Sequence, residues 1–94
     1  MSETREMRRV VTICNERGLH ARAAAKFVRT VEEYDAEVVV WKGDTDVIGS
    51  SIMGLLMLAA GPGTELELVA SGKDGTALLD AIETLVNDRF HEEV

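Results

Sequence analysis

The chain has 94 residues, 46% of them hydrophobic, and carries a formal charge of −7. That length and apolar content support one small core and not two, so residues 1–94 are expected to form a single domain with its core over about 8–90. The acidic excess argues against nucleic acid or an anionic membrane as the main partner and favours a protein with a basic docking surface.

Residues 9–14 are rich in β-branched side chains and predict a first strand, ending at the turn Asn15-Glu16-Arg17-Gly18. A helix is expected over 21–33, with small residues first and then Phe27, Val28 and Val31 on one stripe. Residues 36–42 predict the second strand, with Val38 and Val40 on one face and Glu37, Val39 and Trp41 on the other. Gly43-Asp44 reads as a hairpin turn into a short strand over 45–48. Ser51 is placed to cap a helix within the apolar run 52–60, which Gly61-Pro62-Gly63 must end. Residues 65–71 alternate, with Leu66, Leu68 and Ala70 facing in. After the turn 72–75, a last helix is expected from 76 to about 90, burying Leu78, Leu79, Ile82, Leu85 and Val86. The order β-α-β-β-α-β-α predicts an α+β domain, with segregated helices over a mostly antiparallel sheet.

Gly18-Leu19-His20-Ala21-Arg22 carries the chemistry. It sets a histidine at the threshold of a helix, with an arginine two positions on. The first backbone N–H groups of a helix lack internal partners, and the helix dipole places partial positive charge there. A phosphate held at that point meets free donors, a favourable dipole and the guanidinium of Arg22. Histidine is also a nucleophile whose ring can be neutral at physiological pH. The arrangement suits a histidine that carries phosphate, although a lone histidine at a helix start is more often a cap or a surface residue.

The rest of the chain offers less chemistry. No apolar run approaches the ~18 residues of a membrane span, and the polar start Met1-Ser2-Glu3-Thr4-Arg5-Glu6 does not read as a signal peptide. Cys14 is the only cysteine, which excludes an internal disulfide and suits a reducing cytoplasm. Its place in a strand-like run reads as a small core or sheet residue rather than a reactive thiol. Two histidines and one cysteine, far apart, give no metal-ligand spacing, and neither a metal nor a cofactor is expected. Around Gly54, the run 52–58 is too apolar for a short helix with one buried face. Leu55 and Leu58 are expected to pack, leaving some of Ile52, Met53 and Leu56 exposed as an adaptable patch. His91 has no partner motif, and Glu92-Glu93 reads as a solvated end.

Two short motifs in this order, Gly18-Leu19-His20-Ala21-Arg22 and Ser51-Ile52-Met53-Gly54, make the chain similar to the HPr family. These are the histidine-containing phosphocarriers of the bacterial phosphotransferase system, and the resemblance runs from about residue 8 to residue 90. It implies a two-layer open-faced β-sandwich, a four-stranded sheet with three helices on one face. It also implies a monomeric, stoichiometric carrier rather than an enzyme. His20 would take phosphate on Nδ1 from Enzyme I and pass it to an EIIA-type protein, with Arg22 supporting the phosphate. Ser51 matches the serine that a dedicated HPr kinase/phosphorylase modifies in some lineages. Ile52, Met53 and Leu56 match the apolar patch that docks partners, and Arg29 matches a basic contact beside it.

The chain also departs from the family pattern. Ala23 stands where members usually carry proline, which restores one N–H donor in the first helical turn. Glu32, Ser50 and Gly54 occupy positions that are basic in some sugar-system members. With Ala23-Ala24-Ala25-Lys26-Phe27-Val28 and Met57-Leu58-Ala59-Ala60, the chain resembles the nitrogen-related branch, the NPr proteins, more than the sugar-uptake carriers. The alternatives are a sugar-uptake carrier and a regulatory HPr-like binder that relays no phosphate. A metabolite-sensing α+β module is a third, but the loops 61–63 and 72–75 lack a phosphate-loop fingerprint.

Overall fold

The computed structural model describes residues 6–92, so the start of the chain and Glu93 lie outside the described residues. The elements follow the expected order: β1 (Glu6–Thr12), α1 (Ala21–Glu32), β2 (Glu37–Lys42), β3 (Thr45–Ile48), α2 (Ile52–Met57), β4 (Glu65–Ser71) and α3 (Gly75–Asn87). A 3-10 turn, Arg89–His91, follows α3. The four strands form one sheet in the order β1-β4-β2-β3, and every pairing is antiparallel. The helices cover one face of it and the other face is open, which makes a two-layer α+β sandwich.

Side-chain alternation builds this layering. Val38 and Val40 on β2, and Leu66, Leu68 and Ala70 on β4, are buried beneath the helices. Their neighbours Val39, Trp41, Glu67 and Val69 face outward. Phe27, Val28 and Val31 of α1 meet Leu78, Leu79, Ile82, Leu85 and Val86 of α3 in the same core. Arg9 is on the covered side of β1, where its guanidinium reaches Asp80 (2.6 Å) and Glu83 (2.9 Å) of α3. Gly43, at φ 58°, and Asp44 make the two-residue link between the paired Lys42 and Thr45.

Three elements depart from the expected bounds by two residues or more, and the other bounds agree to within one. β1 runs from Glu6 rather than residue 9, because its register with β4 extends from Glu6 opposite Ser71 to Thr12 opposite Glu65. Ile13 continues the contact beyond the ladder, donating to Thr64 O at 2.9 Å and accepting from Gly63 N at 2.7 Å. Cys14 therefore lies past the strand and is exposed rather than in the core, with Sγ 3.2 Å from Val86 O. The second helix stops at Met57 instead of residue 60. Ala59 there takes a left-handed conformation (φ 51°), and Lys42 Nζ donates to Leu58 O at 2.9 Å, satisfying a helix-end carbonyl. The last helix ends at Asn87, because Arg89, Phe90 and His91 have φ values of 57°, 55° and 59°. That left-handed run folds Phe90 back into the core, where it is 2% exposed.

Candidate functional site

His20 is the N-cap of α1. Its extended backbone (φ −81°, ψ −178°) lets its carbonyl accept the first helical hydrogen bond from Ala24 N, at 2.8 Å. Its ring completes the cap, with Nδ1 accepting from the Arg22 backbone N–H at 3.3 Å. By helix geometry the N–H groups of Ala21, Arg22 and Ala23 have no partner within the helix, so they form a cluster of donors beside that nitrogen.

The approach to His20 is fixed by close backbone contact with the segment after α2. Gly18 adopts φ +67°, and a Cβ built there would lie 2.4 Å from Ala60 O. Only glycine lets the chain pass so close to the segment after α2. Leu19 N then donates to Ala60 O at 2.8 Å, which ties the histidine loop to the far end of α2. The buried Asn15 amide donates to Gly18 O at 2.8 Å and closes the turn from within.

The C-terminal tail supplies the other wall. Phe90 anchors it, and Lys26 Nζ donates to Phe90 O at 2.6 Å. Two residues on, Glu92 Oε2 lies 2.8 Å from His20 Nε2 and accepts from Asn15 Nδ2 at 3.0 Å. The Glu92 side chain is only 13% exposed, so this residue is not the solvated end expected from the sequence. Desolvation pushes its carboxyl pKa up, but the hydrogen bonds from His20 and Asn15 outweigh that and hold it below its ordinary value. His91 pairs with Asp88 at the surface.

An open cleft of about 510 Å³ lies over His20. Arg17, Arg22 and Lys26 bring cations to its walls, and Glu16 and Glu92 bring carboxylates. The exposed Arg22 makes no ion pair with a described residue, so its guanidinium is available to an anion at Nδ1. Asn15, Arg17, Lys26 and Glu92 join this site without having been singled out in the sequence. None of the four carries a local signal in the sequence, since the tail is placed by the burial of Phe90 against the core.

The other candidates form a second surface. Ser51 caps α2, with Oγ accepting from Gly54 N at 3.0 Å. Leu55 and Leu58 are buried as expected, and Leu56 is partly buried against the core. Ile52 and Met53 are 42% and 68% exposed, and Met57 is the most open at 75%. Arg29 is exposed in the last turn of α1, the helix that packs on α2. Among the described residues no group of His, Cys, Asp and Glu side chains is placed to hold a metal, and no helix is long and apolar enough to cross a membrane.

An open-faced α+β sandwich that presents a histidine at a solvent-open cleft, and exposes an apolar patch on α2, is the build of a small carrier that works through protein contact. The family model for the phosphotransferase-system HPr component phosphorylation site matches residues 7–88, and the chain belongs to the HPr family. Members of this family are phosphocarriers, not catalysts. The chain is 45% identical to the phosphocarrier protein NPr of Shewanella violacea over 87 residues, covering 93% of this chain and 96% of that protein. It is 44% identical to the phosphocarrier protein HPr of Neisseria meningitidis over 86 residues, covering 92% and 97%. The crystal structure of an HPr from Thermoanaerobacter tengcongensis superposes with a TM-score of 0.88 at 34% identity, covering 94% of this chain and 99% of that one. The expected open-faced sandwich is therefore the fold of this protein.

Proposed function

We propose that His20 is the phosphoryl acceptor of this phosphocarrier and holds the group on Nδ1. One observation carries the reading: Nδ1 accepts a backbone N–H from the first turn of α1, so its lone pair points at the donors that a phosphate would use. In the exchange, the Nδ1 lone pair attacks phosphorus in line within the complex with an Enzyme I-type donor. Arg22 and the helix N–H groups take up the charge on the phosphoryl oxygens. The cleft is open, so the group remains accessible for delivery to an EIIA-type acceptor.

We assign the exposed Ile52 and Met53, the half-buried Leu56 and the basic Arg29 to partner docking, and Ser51 to regulatory phosphorylation by an HPr kinase/phosphorylase. The chain is proposed to act as a monomeric single domain in the cytoplasm. The likeness to an NPr protein and the alanine at position 23 favour the nitrogen-related regulatory system over sugar uptake. Incubation with Enzyme I and phosphoenolpyruvate should add one acid-labile phosphoryl group to the parent protein and none to His20→Ala. Label persisting on that variant would move the acceptor elsewhere. Subsequent transfer to a regulatory EIIA, compared with a sugar-specific one, decides the branch.

A further inference from the structure

We infer that Glu92 is a positioning residue for His20, fixing the ring as the tautomer whose Nδ1 is unprotonated and balancing the charge that the ring acquires in phosphoryl transfer. The inference rests on the reading of His20 as the acceptor. Its first ground is the identity of the donors. A backbone N–H can only donate, so Nδ1, which accepts from Arg22, bears a lone pair. The proton of the neutral ring is therefore on Nε2, 2.8 Å from Glu92 Oε2. A carboxylate fixing the far nitrogen of a histidine is a general means of setting its tautomer and orientation.

The second ground is what the chain does to bring Glu92 there. Arg89, Phe90 and His91 are all left-handed, a conformation that brings the Cβ of a non-glycine residue against its own backbone and is rarely adopted by three such residues in a row. Burial of Phe90, the Lys26 bond to its carbonyl and the convergence of Asn15 and His20 on Oε2 hold the run in place. Such strain persists where surrounding contacts over-determine it, and it clusters at functional sites.

During transfer the Nδ1 lone pair forms the new N–P bond. The bond from phosphorus to the donor protein's phosphorylated side chain, which the resemblance implies is a histidine, breaks, and its electron pair returns to that side chain's nitrogen. Nε2 keeps its proton throughout, so His20 passes from a neutral imidazole to a phosphoimidazolium. Its positive charge then faces the Glu92 carboxylate. On delivery, the electron pair of the N–P bond returns to Nδ1, and a neutral imidazole leaves.

The test uses the full chain with Glu92→Ala and Glu92→Gln, phosphorylated Enzyme I as donor, and NMR of the His20 ring. The parent should show an exchange-protected Nε2–H signal that survives phosphorylation. Glu92→Ala should lose that signal and accept phosphate about tenfold more slowly, a charge-assisted bond being removed. Glu92→Gln keeps a neutral acceptor. It should retain the signal and fall between the other two in rate, a ranking that a purely structural role would not produce. Unchanged acceptance in Glu92→Ala, or faster acceptance as from a cover removed, overturns the inference. Failure of the parent itself to accept phosphate on His20 overturns the acceptor reading instead, while the Nε2–H signal still reports the contact.

Discussion

His20 Nε2 and Glu92 Oε2 lie 2.8 Å apart across 72 positions of sequence, joining the start of the first helix to the tail beyond the last. The pair shares Oε2 with the Asn15 amide, so the turn before His20, the histidine and the tail meet at one oxygen. This junction lies beside the cluster of first-turn N–H donors, and the two together set both nitrogens of the ring.

The first expectation concerns pH. The Glu92 carboxyl is held below its ordinary value of 4.5, so the folded tail binds this proton less readily than the unfolded chain does. Its contribution is therefore fully present above that value and is lost as pH falls through the lowered one. The Asn15 side-chain amide resonances, followed by NMR from pH 7 downward, should hold steady through the ordinary glutamate range and move only below it. Movement centred on the ordinary value would mean that the junction does not hold the carboxylate in solution.

A second expectation separates chemistry from capping at position 20. The ring of His20 caps α1, so His20→Ala removes the acceptor nitrogen and the cap together and should lower stability by about 1 kcal/mol. Asparagine is a strong N-cap, so His20→Asn should recover the capping part of that loss but not the Glu92 contact, and should still accept no phosphate. Equal loss of stability in the two variants would show that the cap contributes nothing and that the Glu92 contact carries the effect.

A third expectation falls on Gly18. Alanine there must adopt φ +67° and places Cβ 2.4 Å from Ala60 O, which is backbone and has little freedom to move. Gly18→Ala should lower stability by about 2 kcal/mol or more in urea denaturation. Because Leu19 N is bound to the same carbonyl, it should also slow phosphoryl acceptance by displacing the loop that carries His20. An unperturbed midpoint would mean that the loop relaxes away from Ala60.

Much of this architecture was legible because its signals are local. Val38 with Val40, and Leu66 with Leu68 and Ala70, alternate at the period of a half-buried strand, and all five are buried. The stripe from Leu78 to Val86 repeats at helical spacing and packs as expected. The strand range 65–71 coincides with β4 through the same alternation, and 45–48 coincides with β3 because the Gly43-Asp44 turn fixes where the return strand begins. Ladder ends were less visible: Ile13 is apolar and buried like a strand residue, yet the ladder closes at Thr12. Glu92 was not legible at all, since one glutamate in an acidic tail looks like another. What distinguishes it is tertiary, namely the left-handed run and the Phe90 anchor that return the tail to α1.

The last expectation uses α2, where core and contact residues alternate within six positions. Leu55 is fully buried, so Leu55→Ala should lower stability by about 2–5 kcal/mol, and any loss of phosphoryl transfer should follow the loss of folded protein. Met57 is 75% exposed and Met53 68%, so replacing either with alanine should leave the unfolding free energy within about 0.5 kcal/mol of the parent's. If these side chains form the docking surface, their alanine variants should weaken saturation by the donor protein while the maximal rate is preserved. Ser51→Asp adds a charge at the same edge and can retain the cap to Gly54 N. It should weaken the same docking step without destabilising the helix. Donor saturation unchanged across Met53→Ala, Met57→Ala and Ser51→Asp would remove α2 from the encounter and leave the cleft around His20 as the surface the partners meet.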